Sequence, residues 1–101
     1  MKELQRKAVE FAEQNDLEAS TEFRALDFVS EAGEIISDIT KSADYGESPD
    51  SIQVKQDEIG DLLFSLFLLA EDLDIDAEEA FNEAMEKYED RVSETGDPGS
   101  K

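Results

Sequence analysis

Two short acidic phrases contain the residues of this chain that are best suited to metal chemistry. In each, a glutamate is followed two residues later by glycine and three residues later by a second acid: Glu31, Gly33 and Glu34, then Glu58, Gly60 and Asp61. Inside a helix, glycine costs about 1 kcal/mol relative to alanine, and like charges three residues apart repel each other. A cation bound between the carboxylates would relieve that repulsion, so the repeated pattern indicates a metal site.

The elements that must position these acids are helices, because strand-like alternation is absent and β-branched residues are few. The pattern predicts helices over about 2–14, 21–43, 49–73 and 77–92. Ser20 or Thr21 is expected to cap the second helix and Asp76 the fourth, with Pro49 in the first turn of the third. We therefore expect an all-α, four-helix antiparallel bundle in one domain over residues 1–92, followed by a flexible tail over 93–101.

The faces of the two central helices differ. The second helix has an apolar face that we expect to be buried, and an acidic stripe on its other side that consists of Asp27, Glu31, Glu34 and Asp38. On this helix alone, the simpler interpretation is a solvated surface. The third helix is apolar nearly all round from 59 to 73, and its polar stripe is Glu58, Asp61, Ser65 and Asp72. Such a helix is expected to be buried on most sides.

Carboxylates on a mostly buried helix need a compensating cation, because unpaired buried charge is costly. If the two stripes face each other, four carboxylates converge: Glu31, Glu34, Glu58 and Asp61. A donor set made only of oxygen suits Mg²⁺, Mn²⁺ or Ca²⁺ rather than zinc or copper. The two glycines would allow close approach of a helix or a ligand, or would serve ordinary helix packing.

Composition excludes several classes of function. The chain has 101 residues, a net charge of −19 from 28 acids against 9 bases, and neither cysteine nor histidine. Catalysis by a histidine or cysteine is therefore excluded, and binding to nucleic acid or to an anionic membrane is not expected. Most of the acids fit a solvated surface of the kind that suits high salt. We expect a cytoplasmic protein whose thin core favours a partner subunit.

The two acidic phrases, "SEAGE" and "EIGD", resemble the pattern of the MazG-type all-α nucleoside triphosphate pyrophosphohydrolases, which is EExxE, a spacer, then ExxD. The resemblance covers about 20–92 and includes the apolar run "LLFSLFLLA" and the closing "FNEAMEKYEDRV". Ser30 stands where the family pattern has its first glutamate. The family's base-stacking aromatic residues are not identifiable, and Phe23, Phe28 and Tyr45 are candidates.

The resemblance implies Mg²⁺-dependent hydrolysis of a (d)NTP to the monophosphate and pyrophosphate, with Mn²⁺ as a substitute ion and removal of non-standard nucleotides as a role. It implies that Glu31, Glu34, Glu58 and Asp61 are the catalytic and metal-binding residues, and that Lys87 and Arg91 contact phosphate. A surface pairing of those two cations with neighbouring acids is the plainer alternative. The resemblance also implies a MazG-like homodimer or dimer of dimers.

Two other interpretations fit parts of the chain. Residues 72–83 place acids at positions of an EF-hand loop, but Ala77 stands where that loop needs glycine, so the capped fourth helix explains them better. The second is a non-catalytic helical interaction protein with a structural or degenerate carboxylate metal site, which Ser30 favours. Base and sugar preference and the identity of the general base are left open by the sequence.

Overall fold

The computed structural model describes residues 1–99 of the chain, and over that part it is all-α, as predicted. The four helices are α1 (Lys2–Gln14), α2 (Thr21–Ser42), α3 (Gln56–Asp72) and α4 (Ala77–Thr95), with short 3₁₀ turns at Asp44–Gly46 and Pro49–Ser51. None of the helices in residues 1–99 has the length and apolarity to cross a membrane. Residues 100 and 101 of the predicted tail lie outside the described part.

The predicted N-caps of α2 and α4 are confirmed by hydrogen bonds. The Ser20 side chain accepts from the backbone N–H of Phe23 at 3.1 Å, and Asp76 accepts from the N–H groups of Glu78 and Glu79 at 2.9 and 3.1 Å. Helix α4 continues to Thr95 and ends at Gly96, whose backbone is left-handed with a φ of 77°. That ending is typical of glycine at a helix C-terminus.

The start of α3 differs from the prediction. Pro49 begins only the 3₁₀ turn, and residues 52–55 are non-helical before α3 starts at Gln56. Ser42 holds this segment against the end of α2, because its hydroxyl accepts from the N–H of Gln53 at 2.8 Å and donates to the carbonyl of Asp38 at 2.6 Å. This tertiary contact keeps residues 52–55 out of the helix, although Pro49 is a local signal for a helix start.

The core lies between α1 and α3. Ala8, Ala12, Phe67 and Leu68 form its buried cluster, and Phe11 meets Phe64 edge to face with ring centroids 6.0 Å apart. As predicted, α3 is largely covered: residues 62–70 are all buried or half-buried. Helix α2 packs along α3, so α3 is the central helix of the chain.

Helix α4 is attached through its first turns. The Met1 amino group contacts Glu78 at 2.9 Å, and Lys2 contacts Asp76 and Glu79 at 3.5 and 3.4 Å. Buried Gln5 accepts from the backbone N–H of Ala77 at 2.7 Å. Beyond this region the apolar residues of α4 are exposed: Phe81, Met85, Tyr88 and Val92.

The apolar face of α2 is exposed in the single chain, so the expectation that it is buried is wrong there. Leu26, Val29 and Ile36 are 68%, 65% and 63% exposed. The half-buried residues of α2, among them Phe28, Ala32 and Ile35, lie on another side of the helix. Helix α2 therefore contacts α3 through a face that partly includes its acidic stripe, and it leaves a stripe of large apolar residues uncovered.

Candidate carboxylate site

Helices α2 and α3 pack antiparallel, and polar contacts fix their register. Arg24 Nε donates to Asp72 Oδ2 at 3.1 Å, and Ser65 Oγ donates to Asp27 Oδ2 at 3.0 Å. Ser65 is only 4% exposed, so its hydroxyl has an acceptor deep in an apolar helix surface. These contacts align the acidic stripe of α2 with that of α3.

The first group of carboxylates surrounds Glu31, which is half-buried in the middle of α2. Burial raises the pKa of Glu31, and the neighbouring carboxylates of Glu34, Asp61 and Asp27 raise that pKa further. One predicted residue from each phrase, Glu31 and Asp61, therefore lies within electrostatic reach of the other. Repulsion between them is the condition that a cation would relieve.

The second group is the pair formed by Glu58 and Asp38. A hydrogen bond shared with Asp38 is the main cause that raises the pKa of Glu58 to about 6, and burial and the charge of Asp38 act in the same direction. The charge of Lys55 opposes the shift. The Oε2 atom of Glu58 is buried without a hydrogen-bond partner. A buried carboxylate oxygen needs a hydrogen-bond donor or a cation to offset the loss of its hydration.

The four predicted site residues thus lie along one pair of helices, but in two groups. Glu34 and Asp61 are exposed, while Glu31 and Glu58 are half-buried, and Glu58 is paired with Asp38. Within residues 1–99 no three acids are placed closely enough to hold a metal ion as they stand. The all-oxygen donor set and the unpartnered Glu58 Oε2 nevertheless fit a hard divalent cation.

Gly33 and Gly60 have no close neighbour. A Cβ added at either position would meet nothing within 4 Å. Gly33 lies in the exposed apolar stripe of α2, and Gly60 is exposed beside the groove between α1 and α3 that Phe11 and Phe64 line. Within the single chain, neither glycine makes room for a neighbouring helix.

Sequence reasoning placed Asp38 and Ser65 in the polar stripes but did not assign them to the site. It also missed a cleft of about 660 Å³ that opens beside Asp38. Lys41 and Lys55 line this cleft together with the non-helical residues 52–54. The cleft is lined by the non-helical segment that precedes α3, a segment that the sequence had predicted to be helical. The position of Asp38, four residues after Glu34 on the same acidic stripe, was the sequence signal that could have assigned it to the site.

Lys87 and Arg91 do not reach the carboxylates within the described chain. The Nζ of Lys87 lies 5.7 Å from the centroid of its neighbour Tyr88, and Arg91 donates to the carbonyl of Pro98 at 3.4 Å. Neither forms an ion pair with an acid among residues 1–99, so the alternative of a surface pairing with neighbouring acids is not observed there.

Two acids of the EF-hand-like stretch, Asp72 and Asp76, have other partners. Asp72 pairs with Arg24, and Asp76 caps α4 and contacts Lys2. These contacts lower the pKa of Asp76, with the N–H of Glu79 as the largest cause. Helix capping and ion pairs therefore hold Asp72 and Asp76.

Helices α2 and α3 form an antiparallel pair, and both contribute acids to the seam between them. The class of protein is therefore an all-α protein with a carboxylate site. The family model for the MazG nucleotide pyrophosphohydrolase domain matches residues 20–95, which include α2, α3 and α4. The chain belongs to this family. Membership supports a nucleotide pyrophosphohydrolase, and such hydrolases generally use divalent metal ions. Neither a curated protein nor a solved structure matches the chain significantly.

Proposed function

We propose that this protein is a Mg²⁺-dependent pyrophosphohydrolase that converts a (d)NTP to the (d)NMP and pyrophosphate. The observation that carries the proposal is the set of repelling carboxylates in the α2–α3 seam. Glu31 and Glu58 have raised pKa values, and Glu58 Oε2 is buried without a partner. Acids whose pKa values are shifted by burial and by neighbouring charges are typical of functional sites.

Glu31, Glu34, Glu58 and Asp61 are the proposed ligands of the metal. A bound Mg²⁺, or Mn²⁺ in its place, would neutralise phosphate oxygens and stabilise the charge that develops when the α–β phosphoanhydride bond breaks. The protein and its substrate are both strongly anionic, so the carboxylates of this chain contribute to substrate binding only through such an ion.

A carboxylate is the proposed general base, because the chain has no histidine. Glu31 and Glu58 are the two candidates, since their pKa values are raised toward neutral pH. Asp38 is proposed to position Glu58 through their shared hydrogen bond. Ser65 is proposed to position Asp27 beside Glu31.

The cleft beside Asp38 is the proposed entry for the triphosphate. Lys41 and Lys55 contribute the positive charge that phosphate oxygens need, next to the carboxylate pair of Asp38 and Glu58. Tyr45 is 73% exposed in the turn after α2 and is a candidate for stacking on the base. We further propose a homodimer or homotetramer that acts on the cytoplasmic nucleotide pool, including its non-standard members.

The test is pyrophosphate release by the purified protein. It is incubated with Mg²⁺ or Mn²⁺ and a panel of standard and modified (d)NTPs, at low salt and in multimolar KCl. We expect monophosphate and pyrophosphate in equal amounts, and loss of at least roughly 100-fold in kcat/KM for Glu58→Gln/Asp61→Asn, because two charged ligands are removed. Glu86→Gln, an exposed acid on α4, is the matched control. Absence of product with every nucleotide, or full activity of the double variant, would exclude the proposal.

A second candidate is a non-catalytic helical interaction protein with a structural or degenerate metal site. Ser30 favours it, because one acid of the family pattern is missing and the remaining acids lie in two groups. The discriminating variant is Ser30→Glu. If the natural protein binds Mn²⁺ without turnover and Ser30→Glu introduces turnover, the site is a degenerate one.

A further inference from the structure

Within residues 1–99, the cations along the α2–α3 seam lie at its two ends. At one end, Arg24 already has partners, because it pairs with Asp72 at 3.1 Å and donates to the carbonyl of Leu17 at 2.8 Å. Helix α3 contains no lysine or arginine, and α2 contains none between Arg24 and Lys41. The seam therefore runs from an occupied cation, past the carboxylates, to Lys41 and Lys55.

Lys41 and Lys55 lie at the end where α2 stops and α3 begins. Lys41 is in the last turn of α2, Lys55 directly precedes α3, and both line the cleft of about 660 Å³. Over residues 1–99 neither lysine forms an ion pair, although the chain has 28 acids against 9 bases. A cleft of this volume with two convergent cations is suited to a small anionic ligand.

The cleft adjoins the carboxylate site through Asp38, which lines it. The hydrogen bond that Asp38 shares with Glu58 raises the pKa of Glu58, and the charge of Lys55 opposes that rise. Lys55 is therefore within electrostatic reach of a proposed metal ligand. The group around Glu31 lies farther along the seam, because Glu31 is seven residues from Asp38, or about 10 Å along α2. A ligand that contacts both the carboxylates and the cleft thus has one end among the cations.

We propose that the cleft is the subsite for the β- and γ-phosphates of the substrate, and that Lys41 and Lys55 select nucleoside triphosphates. This inference rests on the proposed function for the reaction, in which water attacks the α-phosphorus and gives its proton to the carboxylate base. The α–β bond breaks, its bridging oxygen leaves on the β-phosphate, and pyrophosphate is released in the cleft. The terminal phosphates carry most of the substrate's charge, so they take the end of the seam that Lys41 and Lys55 occupy.

The selection follows from the charge at the far end of the substrate. A nucleoside diphosphate has no γ-phosphate, and in a nucleotide sugar an uncharged group takes its place. Both offer the cleft one phosphate instead of two, so one of the two lysines is left without an anion. Hydrogen bonds between charged groups are among the strongest in proteins, so the loss of one should lower kcat/KM roughly 10-fold or more. Free pyrophosphate has both phosphates and should bind the same cleft.

The subsite is tested first without turnover. Binding of inorganic pyrophosphate in the presence of Mg²⁺ is measured by calorimetry for the natural protein and for Lys41→Gln/Lys55→Gln. We expect the affinity of the variant to be at least roughly tenfold lower. Arg6→Gln/Lys7→Gln removes the same two charges from exposed positions on α1, so it is the matched control and should keep the natural affinity. Absence of binding to the natural protein, an unchanged affinity in Lys41→Gln/Lys55→Gln, or an equal loss in the control would overturn the proposal.

The selection is tested by comparing substrates. For both proteins, kcat/KM is measured with a (d)NTP, the matching diphosphate and a nucleotide sugar of the same base. We expect the preference for the triphosphate to fall at least roughly tenfold in Lys41→Gln/Lys55→Gln, because the triphosphate loses two charged contacts and the others lose one. Equal loss on every substrate, or no preference in the natural protein, would overturn the selective role. If the natural protein hydrolyses none of them but binds pyrophosphate through Lys41 and Lys55, the proposed function alone is refuted and the pyrophosphate subsite stands.

Discussion

The substitution Gly33→Ala should have opposite effects on the stability of the single chain and on the association of chains. Gly33 is in the interior of α2, is exposed, and has open space where a Cβ would stand. In an isolated chain Gly33→Ala should therefore stabilise the fold. In the proposed homodimer or homotetramer, a partner subunit that covers the apolar stripe of α2 would meet the same methyl group, which should weaken association.

The two effects have different magnitudes. The gain in helix propensity is about 1 kcal/mol, which for a domain of this size raises Tm by about 4–8 °C. The cost of one extra methyl group in a packed interface is about 1–3 kcal/mol, which weakens Kd roughly 5- to 150-fold for each copy of Gly33 that the interface buries. Association should thus fall while the dissociated chain becomes more stable.

The assay is sedimentation equilibrium together with thermal unfolding over a broad range of protein concentration. Gly60→Ala is the matched control, because its Cβ also meets nothing within 4 Å and it gains the same helix propensity on α3. We expect a weaker Kd for Gly33→Ala than for Gly60→Ala. A rise in Tm at every concentration with unchanged association would show that Gly33 lies outside any subunit interface.

Three further outcomes are expected. In metal-free protein, the free energy of unfolding should fall as pH rises from 4.5, the ordinary pKa of a glutamate, through the raised pKa of about 6 for Glu58, because the folded state favours the protonated form of Glu58. In thermal melts, Mg²⁺ should reverse this fall, and Glu58→Gln should make it smaller. Gln5→Leu should cost about 2–5 kcal/mol in urea unfolding, because it leaves the N–H of Ala77 and the carbonyl of Ile75 without partners. Multimolar KCl should raise Tm by screening the net charge of −19, and an unchanged Tm would contradict that expectation.

The helices and their caps could be predicted because their signals are local. Ser20 and Asp76 each satisfy N–H groups within three residues of themselves. The start of α3 could not be predicted in this way. It depends on Ser42, which bonds to Gln53 eleven residues later, and a pattern that is read along one segment does not contain such a contact.

The candidate site was predictable to the level of two facing stripes. Helical spacing placed Glu31 on α2 and Asp61 on α3, and the two lie within electrostatic reach of each other. The apolar surroundings of α3 indicated that its acids are partly covered, which the structure shows for Glu58 but not for Asp61. The pairing of Glu58 with Asp38 depends on the register between α2 and α3. That register is set by contacts such as Ser65 to Asp27, and spacing on one helix does not contain it.

The wrong expectation for the apolar face of α2 carries the most information about function. A stripe with Leu26, Val29 and Ile36 should be buried, and the sequence pattern is sound in that respect. Within residues 1–99, α1 and α2 pack on α3 and α4 leaves the core after its first turns, so the stripe stays exposed. An apolar stripe of this kind on an otherwise acidic surface marks an interaction surface, so it supports the homodimer or homotetramer proposed above.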